Sequence, residues 1–317
     1  MSGGTIVVVG SVNMDLVMPV PHFPRAGETV LGGAFRSACG GKGANQAVAA
    51  ARAGAAVAFI GAVGDDAHGV AGRAALEAEG CGALLVTRRE APTGAAFIFV
   101  DEAGESCIAV SPGANALLRV EDVEHAWRTL ADVSVVLIQM EIPIDVVAVA
   151  ARLGASAGAI VILNPAPAAP IADEILRDVT LLTPNEGECA TLIGRERLAP
   201  GAWRDAADVL LARGASGAVL TLGAAGAFVR TRELADLIDA IPVRPVDTTA
   251  AGDTFNGALA AELDRGHDLL DAVQYANAAA AICVTRAGAQ PSIPTHRQVE
   301  ALLAERRSPL TLSRGLQ

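Results

Sequence analysis

The sequence predicts a doubly wound α/β protein, with a mostly parallel sheet covered by helices on both faces, and three observations carry that prediction. From residue 121 onward, short apolar runs alternate with stretches of helical length, the pattern of a sheet whose crossover helices cover it. The first apolar run, residues 5–9, is β-branched and closed by Gly10, as suits a buried strand. Of the 317 residues 52% are apolar but only 3% aromatic, and 66 are alanine, so the core is built from small side chains suited to close helix packing.

The elements follow in order. Past the first strand, Asn13 and Asp15 put polar groups at a strand end. Residues 16–39 hold Pro19, Pro21, Pro24 and a Gly27-Glu28-Thr29 turn, then a strand-like stretch over 29–37. A helix is expected over 43–53, with Gly54 ending it and the glycines before it free to bend around a ligand. Residues 57–63 read as a strand, 67–79 as a helix, and 95–100 and 106–110 as strands joined by the turn Asp101-Glu102-Ala103-Gly104. Next come helix 122–130, strand 134–140, helix 143–153, strands 159–163 and 179–182, helices 186–193 and 203–213, and strand 217–222. Residues 227–230 return as the second strand of a hairpin, 243–247 form a short strand, and helices cover 252–263, 268–283 and 295–305. Residues 308–317 have no apolar period and are expected to fray. The whole of 1–317 reads as a single domain, with about 13–39 and 94–111 forming a small β-rich appendage inserted in the α/β body.

Composition narrows the function. A net charge of −11, with no basic cluster larger than Arg88–Arg89 and Arg306–Arg307, disfavours nucleic acid and anionic membranes as partners. No apolar run reaches the length of a spanning helix and the N-terminus has no leader pattern, so a cytoplasmic protein is expected. The five cysteines are widely spaced without a CxxC and read as reduced thiols. The five histidines show no HxxxH or HExxH spacing for zinc.

Of the 24 cationic residues only Lys42 is a lysine. A solvated surface accepts either cation, whereas a site needing a compact, flexible ammonium rejects a planar guanidinium. Lys42 lies in Gly40-Gly41-Lys42-Gly43-Ala44-Asn45, which makes chance the weaker explanation. The same string is not a GxxxxGK[ST] loop, and Gly10-Ser11-Val12-Asn13 is not the GxGxxG of a dinucleotide site.

Three loops carry the candidate chemistry. The segment Asp247-Thr248-Thr249-Ala250-Ala251-Gly252-Asp253 leads into a helix whose free N–H groups favour an anion. A carboxylate there suits a base beside a phosphoryl acceptor; read without the motif, Asp253 serves equally as a helix N-cap. In Thr183-Pro184-Asn185-Glu186-Gly187-Glu188, Asn185 and Glu188 share a helix face and suit hydrated Mg²⁺, or cap the helix. The turn Thr221-Leu222-Gly223-Ala224-Ala225-Gly226 admits a nucleotide or is a plain hairpin turn.

Taken together, the strings GSVNMDLV, CGGKGANQAVAAARAGA, TPNEGE, TLGAAG, DTTAAGDTFNGAL and VTRAGAQPS resemble the ribokinase (PfkB-type) family of sugar kinases, in order from residue 10 to 292. The resemblance implies a Rossmann-like body and a β-sheet lid that doubles as the clasp of a homodimer. It implies ATP-dependent phosphorylation of D-ribose at its 5-hydroxyl, with 2-deoxyribose or nucleoside kinases, or a non-catalytic sugar sensor, as the alternatives. Few aromatic residues argue against a nucleoside, and the intact Ala250-to-Asp253 string argues against a sensor. Asn13, Asp15, Gly40, Gly41, Lys42, Asn45 and Glu141 would bind sugar, and Lys42 would lie near the path of the transferred phosphate. Asp253 would be the base, with the amides of Ala250, Ala251 and Gly252 as the anion hole. Asn185, Thr221, Gly223, Gly226, Gly252 and Asn277 would line ATP, and Glu188 would help order Mg²⁺. A K⁺ ion would take side chains of Asp247 and Ser292 and carbonyls of Thr249, Cys283, Arg286 and Gly288. Met14, between Asn13 and Asp15, is expected to face away and pack.

Overall fold

A computed structural model describes residues 3–307; the expected fraying of 308–317 lies outside the described residues. The chain runs β1 (Thr5–Val9), β2 (Asn13–Pro19), β3 (Arg36–Gly40), α1 (Lys42–Arg52), β4 (Ala56–Gly64), α2 (Ala67–Ala78), β5 (Gly82–Arg88), β6 (Gly94–Val100) and β7 (Ser106–Ser111). It continues through α3 (Val120–Trp127), β8 (Val133–Gln139), α4 (Ile144–Ser156), β9 (Ile160–Asn164), α5 (Asp173–Leu176), β10 (Leu181–Leu182), α6 (Glu186–Leu192), α7 (Trp203–Ala212) and β11 (Gly217–Thr221). β12 (Ala227–Thr231), β13 (Ala235–Ile238), α8 (Ala251–Asp264), α9 (Leu269–Cys283) and α10 (His296–Arg307) complete it.

A nine-stranded sheet has the order β13-β12-β11-β10-β9-β8-β1-β4-β5, parallel from β11 to β5 with β12 and β13 added antiparallel. Alternation along β1 explains the two helical layers. Ile6 and Val8 pack with residues of α1, α8 and α9, while Val7 and Val9 pack with residues of α3, α4 and α7. The doubly wound prediction therefore holds.

A second sheet, ordered β3-β2-β6-β7, gathers the two β-rich segments. Its β6–β7 turn forms as the sequence indicates: Asp101 Oδ1 accepts from the amides of Ala103 and Glu105, both at 2.9 Å.

Several elements depart from expectation for identifiable reasons. Residues 243–247 form no strand; Pro242 and Pro245 lack amides, and the segment instead hangs from Val284 O through the amides of Val246 and Asp247 (2.7 and 3.2 Å). The stretch 29–37 becomes strand only from Arg36, and of the two polar residues expected at a strand end Asn13 opens β2 while Asp15 lies inside it. The edge strands β5 and β13 carried no sequence signal, being half-buried and mostly exposed respectively.

The alanine content finds its purpose where α1 crosses α8. A Cβ on Gly257 would come within 2.4 Å of Gln46 O and 2.5 Å of Ala49 Cβ, so the two helices touch at backbone distance. We expect Gly257→Val to wedge them apart and lower unfolding free energy by about 1–3 kcal/mol in denaturant titrations, the usual cost of overpacking; a stability equal to the parent's would contradict the contact.

Candidate functional site

The carboxyl ends of the parallel strands meet a crevice at the switch point between β1 and β8, whose following connections lead to opposite halves of the sheet. Each strand end there contributes a polar residue. Beyond β8, Glu141 Oε2 accepts from Ser11 Oγ (2.5 Å), from the Lys42 amide (3.1 Å) and, at longer range, from Asn13 Nδ2 (3.4 Å). Asn115 holds the other end of Asn13, donating to its Oδ1 at 2.8 Å.

Asp15 follows Asn13 at strand period two and so shares its face of β2, while Met14 between them is buried, as expected. The Asp15 carboxylate is 8% exposed. A Cβ on Gly40 would lie 2.2 Å from Asp15 Oδ2, so only glycine leaves room for that carboxylate. Gly41, at φ 92°, turns β3 into α1 against the loop after β1, where a Cβ would strike Asn13 N at 2.7 Å.

Lys42 opens α1 among four carboxylates. Burial alone would lower its pKa, but Asp253, Glu141, Glu188 and Asp15 outweigh burial and raise it. One ammonium does not neutralise four acids. Burial first, then repulsion from Glu141 and Asp253, therefore pushes Asp15 up to about 7 against the opposing pull of Lys42. Burial likewise raises Glu188.

Asp253 sits in the first turn of α8 and is 8% exposed. Its carboxylate reaches across to α1, accepting from Asn45 Nδ2 at Oδ2 and from Gln46 Nε2 at Oδ1, both at 3.0 Å. The N-cap is Ala250, held at φ 59°, so the capping alternative for Asp253 is overturned. Of the expected anion-hole amides, that of Ala251 already donates to Thr248 O at 3.2 Å. Those of Ala250, Gly252 and also Asp253 have no acceptor among the described residues. A Cβ on Gly252 would meet nothing within 4 Å, so this helix start is open.

Thr221 ends β11 and bridges to Asn185, with its amide donating to Pro184 O at 3.0 Å. The turn from Gly223 to Gly226 both closes the β11–β12 hairpin and flanks this bridge. A Cβ on Gly226 would fall 2.0 Å from Ile238 O, whereas Gly223 faces open space. Asn277 donates to Ile238 O at 3.1 Å and so braces the chain beyond β13. Asn185 and Glu188 form a reciprocal capping box on α6 (2.8 and 2.9 Å), the capping alternative, with Glu188 also within the field of Lys42.

A further cluster lies below α8. Asp247 Oδ1 accepts from the Thr249 amide (2.9 Å) and Oδ2 from the Gly288 amide (2.8 Å). Burial opposes ionisation there, yet these bonds hold the carboxyl below its ordinary range, so Asp247 is no free loop acid. Cys283 Sγ lies 3.0 Å from Ser292 Oγ and 3.7 Å from Thr249 O, and the Arg286 amide donates to Cys283 O at 3.0 Å. All six residues expected around a monovalent cation thus converge. Their donors are oxygens with one carboxylate, a set that fits K⁺. Among the described residues no group of three or more His, Cys, Asp or Glu side chains could hold a metal ion.

The sequence reading missed Ser11, Gln46, Asn115, Asn164, Thr183 and Asn256. Gln46 offered a signal, as a polar residue in an alanine-rich helix next to Asn45; the bonds that bring these residues together mostly span long stretches of chain. A buried carboxylate beside helix amides with no acceptor among the described residues, faced by polar groups that both donate and accept, suits a group-transfer enzyme acting on a polyhydroxyl ligand.

Comparison with known proteins makes the class particular. Residues 4–296 match the family model described as pfkB family carbohydrate kinase. A ribokinase of Haemophilus influenzae is 41% identical over 295 residues, covering 93% of this chain and 96% of that protein. The crystal structure of a ribokinase from Thermotoga maritima is similar with TM-score 0.87 and 38% identity, covering 95% of this chain and 99% of the other. An Arabidopsis thaliana ribokinase solved with ribose and ATP gives TM-score 0.85 at 32% identity, covering 96% of this chain and 99% of the other. The chain belongs to the pfkB family of carbohydrate kinases.

The raised Asp15 pKa has a consequence for stability. With a folded value of about 7 against an ordinary value of 3.8, the folded state binds the proton more tightly than the unfolded one, so stability falls as pH rises between those values. Asp15→Asn is expected to be more stable than the parent at pH 8 and to lose that advantage near pH 4, in denaturant titrations at both pH values. A pH-independent difference would contradict the shift.

Proposed function

We propose that the protein transfers the γ-phosphoryl group of ATP to the 5-hydroxyl of D-ribose, giving D-ribose 5-phosphate and ADP. The observation that carries this reading is Asp253, a buried carboxylate beside the unpartnered amides of Ala250 and Gly252 and bonded to Asn45. The similarity to ribokinases, one solved with ribose and ATP, supports the choice of substrates.

Asn13, Asp15, Glu141 and the Gly40–Gly41 backbone bind the sugar hydroxyls. Asn45 joins them; its Oδ1 is buried with no partner among the described residues. Asp253 takes the proton of the 5-hydroxyl as its oxygen attacks the γ-phosphorus, and the bond to the bridging oxygen breaks with its electron pair leaving on ADP. The free amides face the charge on the transferring group, and the Lys42 ammonium, a compact point charge, follows it. ATP lies along Asn185, Thr221, Gly223, Gly226, Gly252 and Asn277.

Glu188 would hold Mg²⁺ through water, and that ion would supply positive charge to the phosphates. Asp247, Thr249, Cys283, Arg286, Gly288 and Ser292 would hold K⁺, which would add further positive charge. The β2–β3–β6–β7 sheet acts as a lid that excludes water and as the clasp of a homodimer, since Phe97, Ile108 and Val110 on it are exposed apolar side chains. Five unpaired cysteines suit the reducing cytoplasm, and the charge of −11 argues against nucleic acid or membrane partners.

Asp253→Asn should keep ribose binding measurable by calorimetry while kcat drops about 10²–10⁴-fold. An ADP-release assay over ribose, 2-deoxyribose, fructose and nucleosides should favour ribose; preference for another sugar reassigns the substrate and leaves the base in place. Lys42→Arg should impair turnover despite the retained charge, and replacing K⁺ by Li⁺ should lower it. Indifference to either change would remove that residue or ion from the mechanism.

A further inference from the structure

Asp253 is held by two neighbouring amides of α1, and the two are not equivalent. The orientation of Gln46 follows from groups whose roles are fixed. Thr183 O can only accept, so Asn164 gives it Nδ2 (3.0 Å) and turns Oδ1 toward Gln46. The Asp253 carboxylate, when ionised, can only accept. Gln46 Nε2 therefore faces both, donating to Asn164 Oδ1 and Asp253 Oδ1 at 3.0 Å each, and its Oε1 accepts from Gln139 Nε2 at 2.6 Å. Every hydrogen-bonding atom of this fully buried side chain is engaged, and reversing the amide would set oxygen against oxygen at two contacts. Asn45 has the opposite freedom. Its Nδ2 donates to Asp253 Oδ2, but its Oδ1 is buried without a partner, so this amide can turn over and accept.

We infer that Gln46 is a positioning residue that keeps Asp253 Oδ1 a permanent acceptor, so that the proton taken from the sugar hydroxyl is delivered to Oδ2, on the Asn45 side. A hydrogen on Oδ1 directed at Gln46 would meet an N–H that cannot turn to accept it. A hydrogen on Oδ2 directed at Asn45 would meet an amide that can turn to accept it. The inference rests on Asp253 being the base of the kinase reaction: the hydroxyl proton goes to Oδ2, the O–H pair forms the new O–P bond, and the departing pair remains on ADP. Gln139, which touches neither substrate nor base, acts one step further out by donating Nε2 to Gln46 Oε1.

The test uses Gln46→Met, Gln139→Met and the double variant in the full chain, with kcat, KM for ribose and ATP, and thermal midpoints. Loss of a hydrogen bond to a charged group predicts that Gln46→Met lowers kcat about 10- to 100-fold, with both KM values within about twofold of the parent. Gln139→Met should lower kcat less, about threefold, and should cost nothing further in the Gln46→Met background, because the two act through one contact. A rise in KM at constant kcat, an unchanged kcat in Gln46→Met, or losses that multiply in the double variant would overturn the inference. Should Gln46→Met fail to fold, parent-like kcat in Gln139→Met alone would overturn it. Failure of the underlying reading looks different: Asp253→Asn would then retain turnover, whatever the glutamine variants do.

Discussion

A carboxylate removed from water must be surrounded by donors or lose its charge, and the burial of Asp253 imposes that condition on much of the molecule. Its two donors come from α1, while the residue itself belongs to α8, so Asp253 keeps both hydrogen bonds only while those helices stay in contact. That contact depends on Gly257 and the alanines around it, since larger side chains would separate the helices beyond hydrogen-bond reach. The network extends outward: Asn164 and Thr183, at or just past the ends of β9 and β10, tie Gln46 to the sheet. Thr183 Oγ1 also donates to Asn256 Oδ1 at 2.6 Å, and Asn256 Nδ2 donates to Gly252 O at 2.8 Å. One polar chain therefore sets the base and the open start of α8 against the same strands.

The charge balance of the site has the same origin. Four carboxylates around Lys42 would be a poor design for binding a polyanion if side-chain charge did the binding. In the proposed mechanism the anion is met by backbone amides at a helix start, where the donors are neutral groups already oriented by the fold. The acids would then serve the sugar, whose hydroxyls can donate to them. In this way a chain with net charge −11 and no basic cluster larger than an arginine pair would accommodate a nucleoside triphosphate.

Much of this was legible in the sequence because the signals are local. β-branched runs gave the central strands, and the glycines at 40 and 41 marked places where a carboxylate or the neighbouring backbone needs the volume of a Cβ. What was not legible is long-range or marginal. Gln46 and Asp253 lie 207 positions apart, and nothing near either residue announces the bond. β5 and β13 lie at sheet edges, where half-exposed strands lose the apolar pattern that identifies inner ones. The strand expected at 243–247 had the right apolar residues, but Pro242 and Pro245 removed the donors a ladder needs.

The expectation of three anion-hole amides shows the same division between type and geometry. Small residues at 250–252 indicate that a backbone can approach a ligand, and the space beside Gly252 is open. They do not say which amides are free. That is decided by the left-handed turn at Ala250, which closes a bond from the Ala251 amide to Thr248 O and leaves its neighbours unpartnered. Because Ala250 carries a Cβ at φ 59°, the turn is held in an unfavourable conformation for that residue, and the surrounding bonds must sustain it. Thr254 N donating to Ala250 O at 2.8 Å and Asn256 Nδ2 donating to Gly252 O do so, which makes the helix start rigid before any anion arrives.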